Sequence, residues 1–433
     1  MVEDAALARP RSSSGRSLRG ATACRACGAP LSFTVVDLGL SPLCETLIRP
    51  DQLEQMEPFY PLHVRLCERC GLAQIPEFVP PAEIFGEYAY YSSYSSSWVE
   101  HARRYVEMVV ARAGLDDRSF VVELASNDGY LLQHFLPLGI PVLGVEPAAN
   151  VAEAARARGV PTLTAFFGLE LATQLVADRG RADLVIGNNV LAQVPDLNDF
   201  VAGVAALLAP GGLATFEVPH LLRLLERVEY DTIYHEHFSY FSLRSLREVF
   251  AAHGLELADV EEIETHGGSL RVYVRHPARG LPPAASVERV LGAERSFGLE
   301  THEPYLRFAE EVRESKRALL DLLIRLRREG RAVAGYGAPG KGNTLLNFCG
   351  IGTDFLEYTV DRNPYKHGCF TPGTRIPIHP PEMLERTRPD VILILPWNLA
   401  PEISRQLAPA ARWGAELAVP IPRATTFEPG SLP

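Results

Sequence analysis

No apolar run in this chain approaches the ~20 residues that a membrane-spanning helix requires. The first twenty residues hold Arg and Ser but no apolar h-region, so residues 1–20 read as a disordered tail and not as a secretory signal. Charge of one sign is nowhere blocked. The net charge of −11 is spread along the chain, which argues against a nucleic-acid or membrane partner. Cysteine is scarce, and an odd count of 7 in a chain this long disfavours a disulfide framework and fits a reducing cytoplasm. What remains is an ordinary globular composition, 47% hydrophobic and 22% charged, over 433 residues. That length implies roughly two to four domains.

Four of the cysteines stand in two Cys-x-x-Cys-Gly knuckles, Cys24/Cys27 and Cys67/Cys70. The Gly after each second Cys allows the tight turn in which backbone amides point at thiolate sulfur. Four thiolates close a tetrahedron with no position left for water, which suits structural zinc. A redox pair is the rival reading, but neither pair opens a thioredoxin-like βαβ pattern. Cys44, between the pairs, reads as a small buried side chain. A zinc-binding module is expected over residues 21–82, contributing folding energy rather than chemistry.

The run from Phe85 to Trp98 is dense in hydroxyls and aromatics, including Tyr88, Tyr90 and Tyr91. It suits either a packed surface segment or a strip lining a polar ligand pocket. Helical spacing follows from Trp98 to Ala113. Strands and amphipathic stretches then alternate, which means a doubly wound α/β sheet with ligand off the strands' carboxyl ends. The first strand runs into Glu123-Leu-Ala-Ser-Asn127-Asp128-Gly129, with a helix expected to follow. The second ends at Glu146, and the fourth at Asn188-Asn189. The first turn is not G-x-G-x-x-G, so a pyrophosphate cradle is poorly supplied, whereas an acid ending the second strand suits a ribose diol. A ribose without pyrophosphate points to S-adenosylmethionine (SAM), and Pro210-Gly211-Gly212 before a late strand strengthens this. This domain is expected over 83–280.

A helical connector is expected over 281–329, with one long amphipathic helix from Ser286 to Arg328. A second Rossmann-like domain is expected over 330–433. It carries a literal G-x-G-x-x-G, Gly335-Tyr-Gly337-Ala-Pro-Gly340, followed by Lys341, Gly342 and Asn343. Asp361 ends the next strand, near the position of a ribose acid. Alone this suggests a nicotinamide, but the cationic, amide-rich loop equally suits the diphosphate of a nucleotide sugar. Lys366, Trp397 and Asn398 fall at later carboxyl edges of the same sheet.

Between the two sheets lies Tyr234-His235-Glu236-His237, four proton-capable groups side by side. Histidine titrates near neutrality, so the run reads as a proton-transfer site, with a polar helix start or metal ligands as the blander readings.

The four-cysteine module, Glu123 to Gly129, Gly187-Asn-Asn-Val-Leu-Ala192, Tyr234 to His237 and His266-Gly-Gly-Ser-Leu270 occur in this order. Together they closely resemble the SAM-dependent deoxysugar C-methyltransferases of antibiotic biosynthesis, over nearly everything after residue 20. The resemblance implies action on a TDP-linked 4-keto sugar: proton abstraction beside the ketone, then methyl transfer to the enolate carbon. It places Tyr234, Glu236 and His237 at the reacting centre. His237 is expected to be the base, Glu236 to orient it, Tyr234 or Tyr88 to hold the sugar oxygens, and His235 to point into structure. Tyr90, Tyr91, His266 and the C-terminal loop residues would line the sugar nucleotide. The protein is expected to be a monomer or small homo-oligomer. One departure stands out. The family's pattern reads Asn-Val-Leu-Ala-His where this chain has Gln193, which cannot accept a proton near neutral pH. That opens an alternative, epimerisation of the same enolate without methylation. Leu43-Cys44-Glu45-Thr46 is a second departure, where a small residue and Asn are expected.

Overall fold

The computed structural model describes residues 22–86, 91–278 and 280–431, with only the backbone of His266. The disordered tail expected over residues 1–20, and Tyr88 and Tyr90, lie outside the described residues. The chain begins with an antiparallel meander, β1 (Phe33–Ser41), β2 (Tyr60–Leu66) and β3 (Ala73–Gln74). Alternate residues of β2 are buried, the period of a sheet with one face on a core, and β1 departs from that period where its register shifts.

The middle of the chain builds β4 (Val121–Leu124), β5 (Val142–Glu146), β6 (Thr162–Thr164), β7 (Ala182–Asn188) and β8 (Leu208–Pro219). These pair in parallel, and every residue of β4 and β5 is buried, as a sheet covered on both faces requires. A short β9 (Ser239–Tyr240) leaves this sheet and pairs antiparallel with β3. The hairpin β10 (Glu256–Ile263) and β11 (Ser269–Arg275) then returns, with β11 antiparallel to β8. The order β10-β11-β8-β7-β4-β5-β6 reverses direction at β4, so a ligand crevice opens between the carboxyl ends of β4 and β7.

The C-terminal part repeats the plan in smaller form with β12 (Val333–Tyr336), β13 (Thr359–Val360), β14 (Ile378–His379), β15 (Val391–Ile394), β16 (Glu416–Val419) and β17 (Thr425–Phe427). The order is β14-β13-β12-β15-β16-β17, parallel except for β17, with the reversal at β12. The architecture is α/β, two Rossmann-like sheets with an N-terminal four-cysteine module.

Two expectations are corrected. No regular helix follows the Asn127-Asp128-Gly129 turn. Two short 3-10 turns, Leu132–His134 and Leu136–Leu138, take its place, where Pro137 and the left-handed Gly139 (φ 71°) prevent an α-helix from propagating. The single helix expected over 286–328 is two, Ala285–Phe297 and Glu303–Arg328, parted at Gly298 (φ 97°) and restarted with Pro304 in its first turn.

One apolar core joins the pieces. It runs from Val35 and Leu62 of the meander through Tyr230 to Phe308 and Leu319 of the long helix, and on to Leu345 and Leu393 of the last sheet. The segment ahead of His237 is therefore gripped by the first and last parts of the chain.

Candidate active site

The four thiols converge. Sγ of Cys24 lies 3.6 Å from that of Cys70, Sγ of Cys27 lies 3.5 Å from that of Cys67, and all four fall within 4.8 Å of one another. A tetrahedron with 2.3 Å zinc–sulfur bonds has edges of roughly 3.8 Å, so the set fits zinc. None of the four is in a disulfide, and Gln74 Nε2 donates to Cys24 Sγ at 3.2 Å, an outer contact that orients the thiolate. The module is not isolated from the rest of the chain. Gln74 belongs to β3, whose partner β9 begins two residues after His237.

At the first crevice the backbone bends sharply. Asn127 (φ 49°) and Gly129 (φ 77°) are left-handed, and a Cβ on Gly129 would meet Val160 at 2.9 Å. Both Glu146 oxygens accept backbone N–H groups, from Asn127 at 2.9 Å and Ala148 at 2.8 Å, which ties the acid of β5 to the β4 turn. Burial raises Glu146, although these two bonds oppose it. Asp128 Oδ2 holds Arg158 at 2.6 Å and Ser93 Oγ at 2.5 Å. Four buried polar atoms, Glu123 Oε2, Ser126 Oγ, Asp128 Oδ1 and Asn188 Oδ1, have no partner among the described residues. Buried polar groups are normally satisfied, so their convergence at these strand ends fits a polar ligand such as SAM. Burial, with Glu146 and Asp128 nearby, pushes Glu123 far above the carboxylate range and keeps it neutral. Asn189 is left-handed (φ 56°) and its N–H reaches the Glu217 carbonyl at 2.8 Å. Tyr91, expected at the sugar, accepts from Asn150 Nδ2 at 3.1 Å.

The proton-bearing loop abuts this crevice. Phe238 N–H donates to Ala192 O at 2.8 Å, and Ala192 lies in the turn Leu191–Gln193 that follows Asn188-Asn189. Gln193 is half-buried at the end of that turn. His237 Nδ1 lies 3.0 Å from the Thr232 carbonyl; a carbonyl only accepts, so Nδ1 carries a proton and Nε2 is the nitrogen that bears the lone pair whenever the ring is neutral. The ring stacks on Tyr234, with centroids 4.1 Å apart. The expectation that Glu236 orients His237 is corrected: the backbone oxygen of Thr232 does so, and Glu236 faces the junction with the first and last domains. Its Oε1 is 3.7 Å from Cys44 Sγ. Burial, then the Glu45 carboxylate, pushes Glu236 up to about 8, so it is a neutral acid at neutral pH. His235 does point into structure. It is packed against Tyr60 and Phe78 with Nε2 3.3 Å from Pro61 O, and burial lowers its basicity.

The Gly-rich loop after β12 is engaged by the protein itself. Gly340 N–H donates to Glu45 Oε1 at 2.9 Å, and Asn343 Nδ2 donates to Cys44 O at 2.5 Å. A Cβ at Gly340 would lie 2.8 Å from Glu45. Gly340 and Asn343 are therefore joint residues here rather than an open phosphate cradle. Asp361 likewise accepts Ala338 N–H at 2.7 Å and Asn363 N–H at 2.8 Å. Lys366 Nζ donates to Ala338 O at 2.7 Å and stands 3.6 Å from Glu45. Lys341 Nζ donates to Asn398 Oδ1 at 3.0 Å and lies over Trp397, whose indole N–H reaches Asp231 at 2.7 Å. Glu229 and Asp231, both buried with one unpartnered oxygen, complete this edge; burial pushes Glu229 up to about 8 and raises Asp231. Composition and spacing did not single out Glu229, Asp231 or Glu45. Glu45 was visible only as part of the departure after Pro42.

Three family models match the chain: a zinc binding domain over 24–85, a methyltransferase domain over 98–260 and a C-methyltransferase C-terminal domain over 264–422. The chain is 39% identical over 399 residues to the C-methyltransferase NovU of Streptomyces niveus, covering 92% of this chain and 95% of that protein. It is also 29% identical over 93 residues to a ubiquinone biosynthesis O-methyltransferase of Rhodopseudomonas palustris, covering 22% of this chain and 37% of the relative. Among solved structures, the magnesium protoporphyrin IX methyltransferase of Synechocystis with bound SAM is similar at TM-score 0.33 and 16% identity, covering 45% of this chain and 89% of that one. Four clustered thiols, a donor crevice at the β4/β7 switch point and near-full-length similarity to NovU lead to one assignment: the chain belongs to the SAM-dependent C-methyltransferase family.

Proposed function

We propose that the acceptor is a TDP-linked 4-keto-deoxysugar, methylated at the carbon beside the ketone through its enolate. The observation that supports this most is the fixed tautomer of His237, whose Nδ1–H is held by Thr232 O while its loop is anchored to Ala192 at the edge of the donor crevice. A C–H beside a ketone is acidic because the resulting charge is delocalised onto oxygen. Such chemistry needs a base at carbon and hydrogen bonds at the oxygen. His237 Nε2 supplies the lone pair that takes the proton. Tyr234, stacked on the same ring, and the neutral carboxyl of Glu236 are groups of the kind that donate to an oxyanion. Glu123, Asn127, Asp128, Glu146 and Asn188 hold the donor. SAM, when bound, supplies the electrophilic methyl group.

Incubation with methyl-labelled SAM and a panel of TDP-linked 4-keto-6-deoxysugars tests the reading. Label transfer to carbon is the expected result. Tight SAM binding with no transfer to any member of the panel sinks it. Exchange of the α-hydrogen in deuterated solvent without transfer turns the reading towards epimerisation, the outcome that Gln193 would explain.

A further inference from the structure

The carbonyl that holds His237 belongs to a run gripped from outside its own domain. Tyr230, Asp231, Thr232 and Ile233 lead into the proton-bearing loop, and all four are buried. The C-terminal domain meets three of them. The Tyr230 ring stands edge-on to Phe348 at 5.4 Å, and its hydroxyl lies 3.8 Å from Cys349 Sγ. Asp231 Oδ2 accepts the Trp397 indole N–H at 2.7 Å. The Ile233 carbonyl accepts the Thr344 hydroxyl at 3.1 Å. Thr344, Phe348 and Cys349 share one helix, Gly340–Cys349. Thr232 turns the other way. Its hydroxyl donates to Glu229 O at 2.7 Å, and its carbonyl faces His237 Nδ1 at 3.0 Å.

The backbone carries these contacts to the imidazole. A peptide group is planar, so the Thr232 C=O and the Ile233 N–H lie in one rigid plane. That N–H donates to Tyr230 O at 3.1 Å, while the Ile233 C=O takes the Thr344 hydroxyl. Ile233 is thus fixed at both ends. Its neighbours on the two sides are the residues that touch the ring: Thr232 through its carbonyl, and Tyr234 by stacking at 4.1 Å. Packing alone does not pin the imidazole, because a void of about 10 Å³, the size of one water, is lined by Thr232 and His237 among others.

Thr344 is placed for this task. It is 1% exposed, and a hydroxyl has a single proton to donate. A threonine inside a helix commonly returns that proton to a carbonyl of its own preceding turn. Thr344 gives it instead to a loop 111 residues earlier in the chain. Without that proton the buried Ile233 carbonyl has no partner among the described residues, a cost that a shift of the loop relieves.

We propose that Thr344 is a positioning residue for the base: through Ile233 it aims the Thr232 carbonyl at His237 Nδ1 and the Tyr234 ring at the imidazole face, so that deprotonation depends on a hydroxyl of the C-terminal domain. The proposal rests on the reading of His237 as the base and adds the group outside the methyltransferase domain that keeps it aligned. Small misplacements of a reacting group are costly, so the effect belongs in kcat rather than in binding.

Two variants of the full-length protein test this, Thr344→Val, which keeps the shape and removes the hydroxyl, and Thr344→Ser, which keeps the hydroxyl. With TDP-4-keto-6-deoxyglucose, Thr344→Val should lower kcat and the rate of α-hydrogen exchange about tenfold or more. KM for the sugar nucleotide and S-adenosylhomocysteine affinity should stay within about twofold of wild type. Thr344→Ser should restore both rates to within about threefold of wild type. Ring-nitrogen NMR of protein labelled with ring-15N histidine, with His237→Asn identifying the signal, reads the imidazole without substrate. At a pH where the ring is neutral, the wild type and Thr344→Ser should show the Nδ1–H tautomer, and Thr344→Val a mixture of tautomers. Wild-type rates and spectrum in Thr344→Val, or equal losses in Thr344→Val and Thr344→Ser, overturn the inference and leave the proposed function standing. α-Hydrogen exchange that persists in His237→Asn overturns the base reading and the inference together.

Discussion

Replacing Glu236 with Gln should flatten the pH dependence of stability between about 4.5 and about 8. Glu236 is 4% exposed, and burial with the nearby Glu45 pushes it from its ordinary 4.5 up to about 8. Its folded value is above its unfolded one, so its contribution is complete below about 4.5 and is lost as pH rises towards about 8. Across that window the unfolded chain releases a proton that the folded chain keeps. The slope for one such group is about 1.4 kcal/mol per pH unit, amounting to a few kcal/mol over the window. Gln is neutral at every pH and similar in shape, so the variant should match the wild type near pH 5 and exceed it at pH 8. On the scale of about 2–4 °C per kcal/mol for a domain of this size, the difference in melting temperature should widen by several degrees from pH 5 to pH 8. Melts of both proteins in a pH series measure it. Subtracting one protein from the other removes contributions common to both, among them Glu229 and the thiol cluster. Parallel curves would show that Glu236 is ionised in the folded protein, and the neutral-donor role proposed for it would fall with them.

His237→Asn should abolish α-hydrogen exchange while leaving S-adenosylhomocysteine affinity within about twofold, since the residues proposed to hold the donor, Asp128 and Glu146, are bonded to Arg158 and Asn127 and not to His237; persistent exchange assigns the base elsewhere. Removing zinc with a chelator should do more than unfold the first module. Gln74 bonds Cys24 and sits in β3, which pairs with β9 beside His237, so methyl transfer should fall in step with zinc content by atomic absorption. Gly187→Ala should cost about 1–3 kcal/mol, because its Cβ would lie 2.6 Å from the Phe216 ring, and should also weaken SAM binding through the adjacent Asn188; a melt and a titration check both halves.

Much of this protein is legible in local sequence, because local sequence controls what is local. Two Cys-x-x-Cys-Gly knuckles announce a zinc set, since four thiolates have few other uses. Buried apolar runs alternating with amphipathic stretches announce parallel sheets, since only a covered sheet buries both faces of a strand. The acid of β5 and the Asn127-Asp128-Gly129 turn locate the donor crevice, since strand ends at a switch point must meet there. Tertiary structure decided which groups face one another. Thr232, not Glu236, fixes the His237 ring, because the loop turns Glu236 towards Cys44 and Glu45, which lie about two hundred residues earlier in the chain. Glu45 reaches the Gly340 amide across 295 residues, and the zinc module reaches the proton-bearing loop through β3 and β9 as well as through Pro61 and Cys44. Thr344 gave no signal on an ordinary helix until the fold set the Ile233 carbonyl beside it. A motif records residues that must be near in the chain, whereas a hydroxyl that holds a loop need only be near in space.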